Sequence, residues 1–274
     1  MNSIFKAALI LIFSIAPATA SEPPLFRDNI QQLAQTAHQY AGFNGTVLVA
    51  KSGHIIYHKA FGFADKNQQI PLTTDHKFSP GSIGKEFTTV ALMMLKKQGK
   101  LSYTDTLSKY LSNLPQWAST VTIEHILTHT SGLPDIEWPR KRATTSKDVM
   151  HQMQAVKTTA FTPGSDYRYG NINTFLRALL VEKITGKPFE HFLQKQLFDA
   201  AGMKGTLTKS QIAQSQKRPQ SQSSIVQGTS PSDVAGLTAF ITAQDLYHWE
   251  QALFGGALVT KHSIEQTIVS HKHN

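Results

Sequence analysis

Ser82 and Lys85 stand three residues apart in the segment Pro80-Gly-Ser-Ile-Gly-Lys85, and they have the types and spacing of a nucleophile with its activator. If a helix begins at Ser82, residues three apart lie one above the other, so the Lys85 amine sits beside the Ser82 hydroxyl. A serine hydroxyl attacks poorly until a neighbour takes its proton, and a lysine buried at a helix base can have its pKa lowered enough to help. The Ser82 amide, at the helix start, can help to stabilise an oxyanion. S-x-x-K patterns also occur by chance on surface helices, so the pair needs supporting context.

Tyr169 and Asn171 form a second group of chemically useful residues, between Phe161-Thr-Pro-Gly164 and a helical stretch that starts at Ile172. A tyrosine acts as a general base only if cations lower its pKa from about 10. An asparagine two residues further on can donate hydrogen bonds to an amide substrate and accept them from it.

Two other kinds of site are disfavoured. His125 and His129 lie four residues apart on an expected helix, and His271 and His273 stand in the tail, but neither pair has an evident third metal ligand. We therefore expect structural roles for them, and no metal or cofactor. An α/β-hydrolase needs glycine two residues before its nucleophile, where this chain has Pro80.

The elements that must position these residues follow from the hydrophobic periodicity. An amphipathic helix is predicted from Phe26 onward, ending before Gly42, and a β-hairpin is predicted from the runs 45–51 and 55–61. Residues 82–98 read as one long buried helix with Ser82 in its first turn. A Ser- and Gln-rich stretch at 210–232 is expected to be a loop. Further helices are predicted at 122–129, 146–156, 172–185, 188–199 and 243–254.

Composition limits the class of protein. The chain has 274 residues, 40% of them hydrophobic, with a net charge of +9 and no cysteine. These values are typical of a globular protein, and the absence of cysteine excludes thiolate catalysis and disulfides. The densest basic cluster, at 139–142, has no aromatic residues arranged for base stacking, so no nucleic-acid partner is expected.

The first twenty residues have the order of a secretory signal: Lys6, an apolar run at 7–15, and the small-residue ending Ala18-Thr-Ala20. The apolar run is too short for a membrane span, which needs about 20 residues. We expect cleavage after Ala20, no stable membrane span afterwards, and a periplasmic or secreted bacterial protein.

Taken together, the motifs resemble those of the serine β-lactamase and penicillin-binding protein superfamily, in its class C β-lactamase, D-alanyl-D-alanine carboxypeptidase and esterase branch. The resemblance covers most of residues 43–254. Its matching segments, in the family's order, are Phe78 to Lys85, Ile123 to Leu133, Phe161-x-Pro-Gly164, Tyr169-x-Asn171, Leu197 to Met203 and Thr242-Ala-x-Asp-Leu246.

The resemblance implies a fold and a set of roles. Ser82 would be acylated, Lys85 and Tyr169 would move its proton, and Asn171 would hold the substrate's amide. The implied substrates are D-Ala-D-Ala peptides, β-lactams or small esters, without a cofactor or metal. The implied fold is α+β and two-lobed, with an antiparallel sheet flanked by helices, built from 21–79 with 233–274, and a mainly helical lobe at 80–232.

One departure from the family leaves an alternative open. The family's further Lys/His-Thr/Ser-Gly motif does not appear between Asp245 and Asn274. Without it, the sheet would be incomplete on its C-terminal side and one oxyanion donor would be missing, at a cost of about 10²–10³ in rate. The sequence therefore supports a secreted serine hydrolase, or alternatively a truncated, impaired relative that only binds. It does not distinguish peptidase, β-lactamase and esterase, or the oligomeric state.

Overall fold

The structure is a computed structural model that describes residues 9–13, 24–65, 67–137, 144–208, 210–212, 225–226, 234–236 and 239–268. Several features considered in the sequence lie outside the described residues: 1–8 and 14–20 of the expected signal, the basic cluster, most of the Ser- and Gln-rich stretch, and His271 and His273. The chain forms two compact units, a sheet unit (1–80, 202–229 and 240–251) and a helical unit (81–201, 230–239 and 252–274).

The α-helices follow the predicted hydrophobic stripes, except for the last of them, which the sequence did not predict. They are α1 (Pro24–Ala41), α2 (Lys85–Lys97), α3 (Ile123–Leu127), α4 (Ser146–Ala155), α5 (Asn171–Thr185), α6 (Phe189–Phe192), α7 (Asp199–Ala201), α8 (Ala243–Phe254) and α9 (Lys261–Ile268). Across the described part of the chain, no helix has both the length and the apolar character that crossing a bilayer requires.

The sheet unit contains the predicted hairpin. Strand β2 (Gly45–Lys51) pairs antiparallel with β3 (His54–Phe61), and the turn between them uses positive φ at Ser52 and Gly53. Within this unit, the Tyr247 hydroxyl donates to the Gly53 carbonyl at 2.6 Å. The hairpin prediction is therefore confirmed, to within one residue at its second strand.

The sheet is not wholly antiparallel, which corrects one detail of the expected fold. Strand β1 (Leu9–Phe13) pairs with β2 in parallel, with Leu9 opposite Val47 and Phe13 opposite Lys51. These residues belong to the apolar run expected in the signal. The strand was not predicted, because a short apolar run has the same composition in a signal core and in a strand. The signal itself stays a prediction. Two parts of the predicted lobe division differ: residues 202–208, assigned from the sequence to the helical lobe, group with the sheet unit, and residues 252–268, assigned to the sheet lobe, group with the helical unit.

The helical unit is built around α2 and α5, which pack against each other. Both helices are apolar along most of their length, and burying such side chains contributes about 1.5–3 kcal/mol each. The Phe198 ring adds an edge-on contact with Phe87 at 5.1 Å between ring centroids. The fully or almost fully buried residues of the two helices include Phe87, Val90, Ala91, Leu92, Leu95, Ile172, Phe175, Leu176, Ala178, Leu180 and Val181.

Three predicted helices differ in their backbone from the expectation. The long helix begins with a 3₁₀ turn (Gly81–Gly84), so α-helical geometry starts only at Lys85. The helix expected to reach residue 129 ends at Leu127, because His129 takes a positive φ of 60°. The helix expected at 188–199 is divided by a π-helical stretch (Leu193–Phe198). Hydrophobic spacing shows that a helix exists but is insensitive to these local changes in winding.

The segment that follows α3 is held tightly against residues 160–168. The carbonyls of His129, Thr130 and Gly132 accept hydrogen bonds from Arg168, Gly164 and Ala160, at 2.8, 2.9 and 2.8 Å. Gly132 has a φ of 71°, and a β-carbon built on it would lie 2.9 Å from the Phe161 carbonyl oxygen. Glycine is therefore required here both by the dihedral angle and by the close backbone.

Replacing Gly132 with alanine should destabilise the protein more than the same change at Gly99. Gly99 has a similar φ of 70° but no atom within 4 Å of a built β-carbon. Gly99→Ala should cost about 1–2 kcal/mol from the left-handed conformation alone. Gly132→Ala should cost at least about 1 kcal/mol more, because the Phe161 backbone must move. Urea unfolding of both variants measures the difference, and equal losses would contradict the close packing.

Candidate active site

Ser82 lies at the entrance to α2, in the 3₁₀ turn that joins this helix to the sheet-unit sequence. Its side chain is exposed, whereas Lys85, at the first position of α2, is half-buried. Lys85 Nζ donates a hydrogen bond to Ser82 Oγ at 2.9 Å. The turn is entered through Gly81, whose φ of 56° is natural for glycine. The structure thus brings the serine and the lysine together as their spacing predicts.

Tyr169 reaches the same serine oxygen from elsewhere in the helical unit. Its hydroxyl donates to Ser82 Oγ at 2.9 Å, across 87 residues of sequence. Lys85 Nζ lies 5.1 Å from the centroid of the Tyr169 ring. The Ser82 oxygen therefore accepts two hydrogen bonds at once, and its own proton is left to point elsewhere.

The pKa of Tyr169 is lowered below its ordinary value of 10 by the balance of opposing effects. Partial burial alone would raise this pKa, because it disfavours the phenolate. Hydrogen bonds with Lys85 and Ser82, and the positive charges of Lys85 and Arg177, stabilise the phenolate by more than burial costs it. The phenol is thus biased toward the deprotonated form that a general base requires.

His129 supports the Tyr169 ring from one face. The two rings are stacked, with 4.7 Å between centroids and 23° between planes. His129 Nδ1 accepts from the Gly170 backbone N–H at 3.3 Å and from Asn173 Nδ2 at 3.1 Å. Asn173 must donate here, because its side-chain oxygen already accepts from Ser131 Oγ at 2.8 Å. With Nδ1 an acceptor, the imidazole is neutral and carries its proton on Nε2.

Burial is the main cause of a His129 pKa lowered to about 4, and the charges of Arg177 and Lys85 act in the same direction. Asp135 opposes the shift, but by less. At neutral pH the ring is therefore an uncharged platform beneath Tyr169 and adds no further charge to the site.

Asp135 holds the start of α5 and the side chain of Asn171. Its carboxylate accepts from the backbone N–H groups of Asn171 and Ile172 at 2.6 and 3.4 Å, and from Asn171 Nδ2 at 3.3 Å. A carboxylate at a helix N-terminus satisfies unpaired N–H groups and is favoured by the helix dipole. Asp135 thus holds the Asn171 side chain by its NH₂ group. The Asn171 side-chain oxygen has no hydrogen-bond partner among the described residues.

The two histidines considered as metal ligands serve different neighbours. His125 Nδ1 accepts from the Thr122 backbone N–H at 3.1 Å and completes a capping box at α3. His129 is committed to Tyr169 and Asn173. Over the described ranges, no three His, Asp or Glu side chains are grouped closely enough to share a metal ion.

Sequence reasoning did not identify His129, Asp135, Asn173 or Arg177 as parts of this site. His129 was considered only for metal binding, and Asp135 stands just beyond the segment 123–133 that resembled the family. Arg177 carried one usable signal, since it interrupts the apolar run Phe175-Leu-x-Ala-Leu-Leu180 of a buried helix.

Comparison with known proteins finds relatives named as a penicillin-binding protein and a D-alanyl-D-alanine carboxypeptidase. Penicillin-binding protein 4* of Bacillus subtilis (strain 168) is 33% identical over 187 residues, covering 66% of this chain and 41% of that protein. A putative D-alanyl-D-alanine carboxypeptidase of Escherichia coli O157:H7 is 28% identical over 216 residues, covering 69% of this chain and 50% of that protein. The chain thus spans about half the length of these curated relatives.

Solved structures agree with the α+β fold expected from the sequence. A crystal structure of a class C β-lactamase matches with a TM-score of 0.71 and 25% identity, over 89% of this chain and 68% of that one. The family model described as Beta-lactamase matches residues 26–274. Because this match covers most of the chain, the protein belongs to the β-lactamase family, within the serine β-lactamase and penicillin-binding protein superfamily.

Proposed function

We propose that this protein is a serine hydrolase that works through an acyl-enzyme on Ser82. The observation that carries the proposal is the double hydrogen bond to Ser82 Oγ, from Lys85 Nζ and the Tyr169 hydroxyl, both at 2.9 Å. Two proton carriers within hydrogen-bond distance of one exposed hydroxyl meet the geometric requirement for an activated nucleophile.

The proton balance of the reaction follows from this geometry. Loss of one proton from the Lys85–Tyr169 pair leaves a base beside Ser82, and the lowered pKa of Tyr169 favours the phenolate in that role. Ser82 Oγ bonds to the substrate carbonyl carbon while its proton passes to the base. The same proton then goes to the leaving group as the carbonyl bond to that group breaks. Water attacks the Ser82 ester by the reverse roles and releases a carboxylic acid.

Two further groups are suited to hold the substrate. The Ser82 N–H lies in the first turn of the helix, where backbone N–H groups lack intrahelical partners, so it is a donor for the oxyanion. The Asn171 side-chain oxygen is available to accept an N–H from an amide substrate, with its NH₂ held by Asp135. These assignments support the sequence-based role for Asn171, which is part of the proposal.

The proposed substrates are D-Ala-D-Ala peptides, β-lactams or small esters. The names of the relatives, penicillin-binding protein and D-alanyl-D-alanine carboxypeptidase, support the first two classes. All three classes present an acyl carbon with a leaving group, which is what Ser82 requires. Discrimination among them depends on the shape of the pocket and on the access of water to the acyl-enzyme.

The alternative, an impaired relative that only binds substrate, is less well supported by the site. A protein without turnover has no need for a base aligned on the nucleophile or for cations that lower the pKa of that base. Here Lys85 and Tyr169 are both aligned on Ser82 and the pKa of Tyr169 is lowered. The hydrolase is therefore the preferred proposal.

Labelling with a fluorescent penicillin or a fluorophosphonate probe tests the proposal. Both reagents should modify the protein covalently, and Ser82→Ala should reduce labelling at least about a thousandfold, to background, because the attacking atom is lost. Ser165→Ala is the matched control, since Ser165 is an exposed serine that bonds only locally, to the Thr162 carbonyl. No labelling of a well-folded wild-type protein would favour the alternative, an impaired relative that only binds substrate.

His129 should remain neutral throughout the pH range in which the enzyme is assayed. Because its pKa is lowered to about 4, the chemical shifts of its ring carbons should not change between about pH 5 and 8 in an NMR titration. The His129 signals are assigned by comparison with the His129→Gln variant. Since the unfolded chain binds a proton at His129 near pH 6.5 and the folded chain only near pH 4, wild-type stability should fall across that window on acidification. A midpoint near 6.5 for His129 would contradict the buried, stacked arrangement.

A further inference from the structure

A cavity of about 280 Å³ lies in the helical unit beside α2, next to the catalytic lysine but not lined by Ser82 or Tyr169. Its polar lining consists of Lys85, Glu86, Thr89, His129 and Arg177. This volume is near the lower end of the range, about 300–1,000 Å³, that is usual for sites of small organic ligands.

The rest of the cavity wall is apolar. It is formed by Val90, Met93, Leu253, Phe254 and Ile264. Lys85, Thr89 and Met93 follow one another at intervals of four residues on one face of α2, so the lining changes from charged to apolar along about 12 Å of helix. A ligand that fits this lining has a polar head and a hydrocarbon tail.

The polar part of the wall contains a buried cation with no counterion among the described residues. Arg177 is 2% exposed, and its guanidinium donates to Thr89 Oγ1 at 2.8 Å and Thr174 Oγ1 at 2.7 Å. Its Nε has no hydrogen-bond partner, and no carboxylate of the described residues forms an ion pair with it. Burial lowers the pKa of Arg177 to about 10, so the group is still charged at neutral pH. A buried, unpaired charge is unfavourable, and an anion brought close to it relieves that cost.

The charge balance of the lining also favours an anion. Among the described residues that line the cavity, Lys85 and Arg177 are the basic side chains, Glu86 is the one carboxylate, and His129 is neutral because burial lowers its pKa to about 4. One positive charge is therefore left in excess in a largely apolar cavity, where electrostatic attraction is stronger than in water.

We propose that this cavity is a binding site for a medium-chain alkyl carboxylate, and that its occupant slows acylation of Ser82. The carboxylate lies toward Arg177, Thr89 and Lys85, and the chain lies along Met93, Leu253 and Phe254. The effect on acylation rests on the proposed hydrolase function, whereas the binding does not. The effect on acylation follows from position and charge. Lys85 Nζ lies 2.9 Å from Ser82 Oγ and 5.1 Å from the centroid of the Tyr169 ring, so an anion bound beside Lys85 lies close to the reacting groups. Such an anion offsets charges that lower the pKa of Tyr169 and therefore weakens the base.

Calorimetric titration with octanoate tests the binding, and the Ser82→Ala variant serves as host so that hydrolysis plays no part. Octanoate should bind at least tenfold more tightly than octanol, which has the chain without the charge. Hexanoate, with two methylenes fewer, should bind about fifteenfold more weakly than octanoate, since each buried methylene is worth about fourfold in affinity. Octanol binding as tightly as octanoate, or no binding of octanoate, would overturn the proposed site.

Three variants locate the site. Arg177→Met should remove the preference for octanoate over octanol, and Arg177→Lys should keep it. Phe254→Asp changes a side chain that is 49% exposed, so the fold should survive, and the added carboxylate should weaken octanoate at least tenfold. Leu33→Asp, at an exposed position of α1, is its control and should leave the affinity unchanged. Equal affinity in Phe254→Asp and wild type would place octanoate outside this cavity and overturn the proposal.

The rate of probe labelling measures the effect on acylation. Octanoate at a concentration that just saturates the wild type should slow its labelling at least threefold and should slow labelling of Phe254→Asp by clearly less. Octanoate that binds without changing the labelling rate would overturn the inhibitory part. If octanoate binds but no probe labels Ser82, the hydrolase proposal and the inhibitory part fail together, while the carboxylate site is supported.

Discussion

A single oxygen atom, Ser82 Oγ, must accept hydrogen bonds from Lys85 and Tyr169 at the same time, and the helical unit is organised around this requirement. Lys85 is placed by local geometry, since it follows Ser82 by three residues through a 3₁₀ turn. Tyr169 is placed by tertiary structure: it precedes α5, which packs on α2. The buried apolar faces of these two helices therefore fix a distance of 2.9 Å between atoms that are 87 residues apart in sequence.

The electrostatics of the site depend on an excess of basic over acidic side chains among the described residues. Lys85 and Arg177 lie near Tyr169 and lower its pKa, while Asp135 is committed to the start of α5 and His129 stays neutral. The protein thereby obtains a phenol with a lowered pKa, and the cost is a buried guanidinium. Unfavourable burial of a charged group is common at functional sites, where the site's chemistry is maintained at some cost in stability. The carboxylate cavity is a consequence of the same imbalance.

The sequence predicted the parts of this structure that depend on neighbouring residues. The Ser82–Lys85 pair, the β2–β3 hairpin and the principal helices follow from spacing and turn chemistry, and Tyr169 was recognised through the family's motif order. His129 and Arg177 were not recognised, because their roles arise only when distant segments pack. His129, which has a positive φ, stacks on Tyr169, and Arg177 is buried and donates to a threonine of α2. The strand formed by Leu9–Phe13 was not predicted, because apolar composition alone does not distinguish a strand from the core of a signal.

A double-mutant cycle on Lys85 and Tyr169 measures most directly whether they act on Ser82 as one unit. The rate of covalent labelling is compared in wild type, Lys85→Ala, Tyr169→Phe and the double variant, with Tyr167→Phe as control for loss of a nearby phenol. Each single change should slow labelling about 10²–10⁴-fold, and the double variant should be hardly slower than the slower single one. Independent effects that multiply in the double variant, or a Tyr169→Phe protein as fast as Tyr167→Phe, would contradict the shared role.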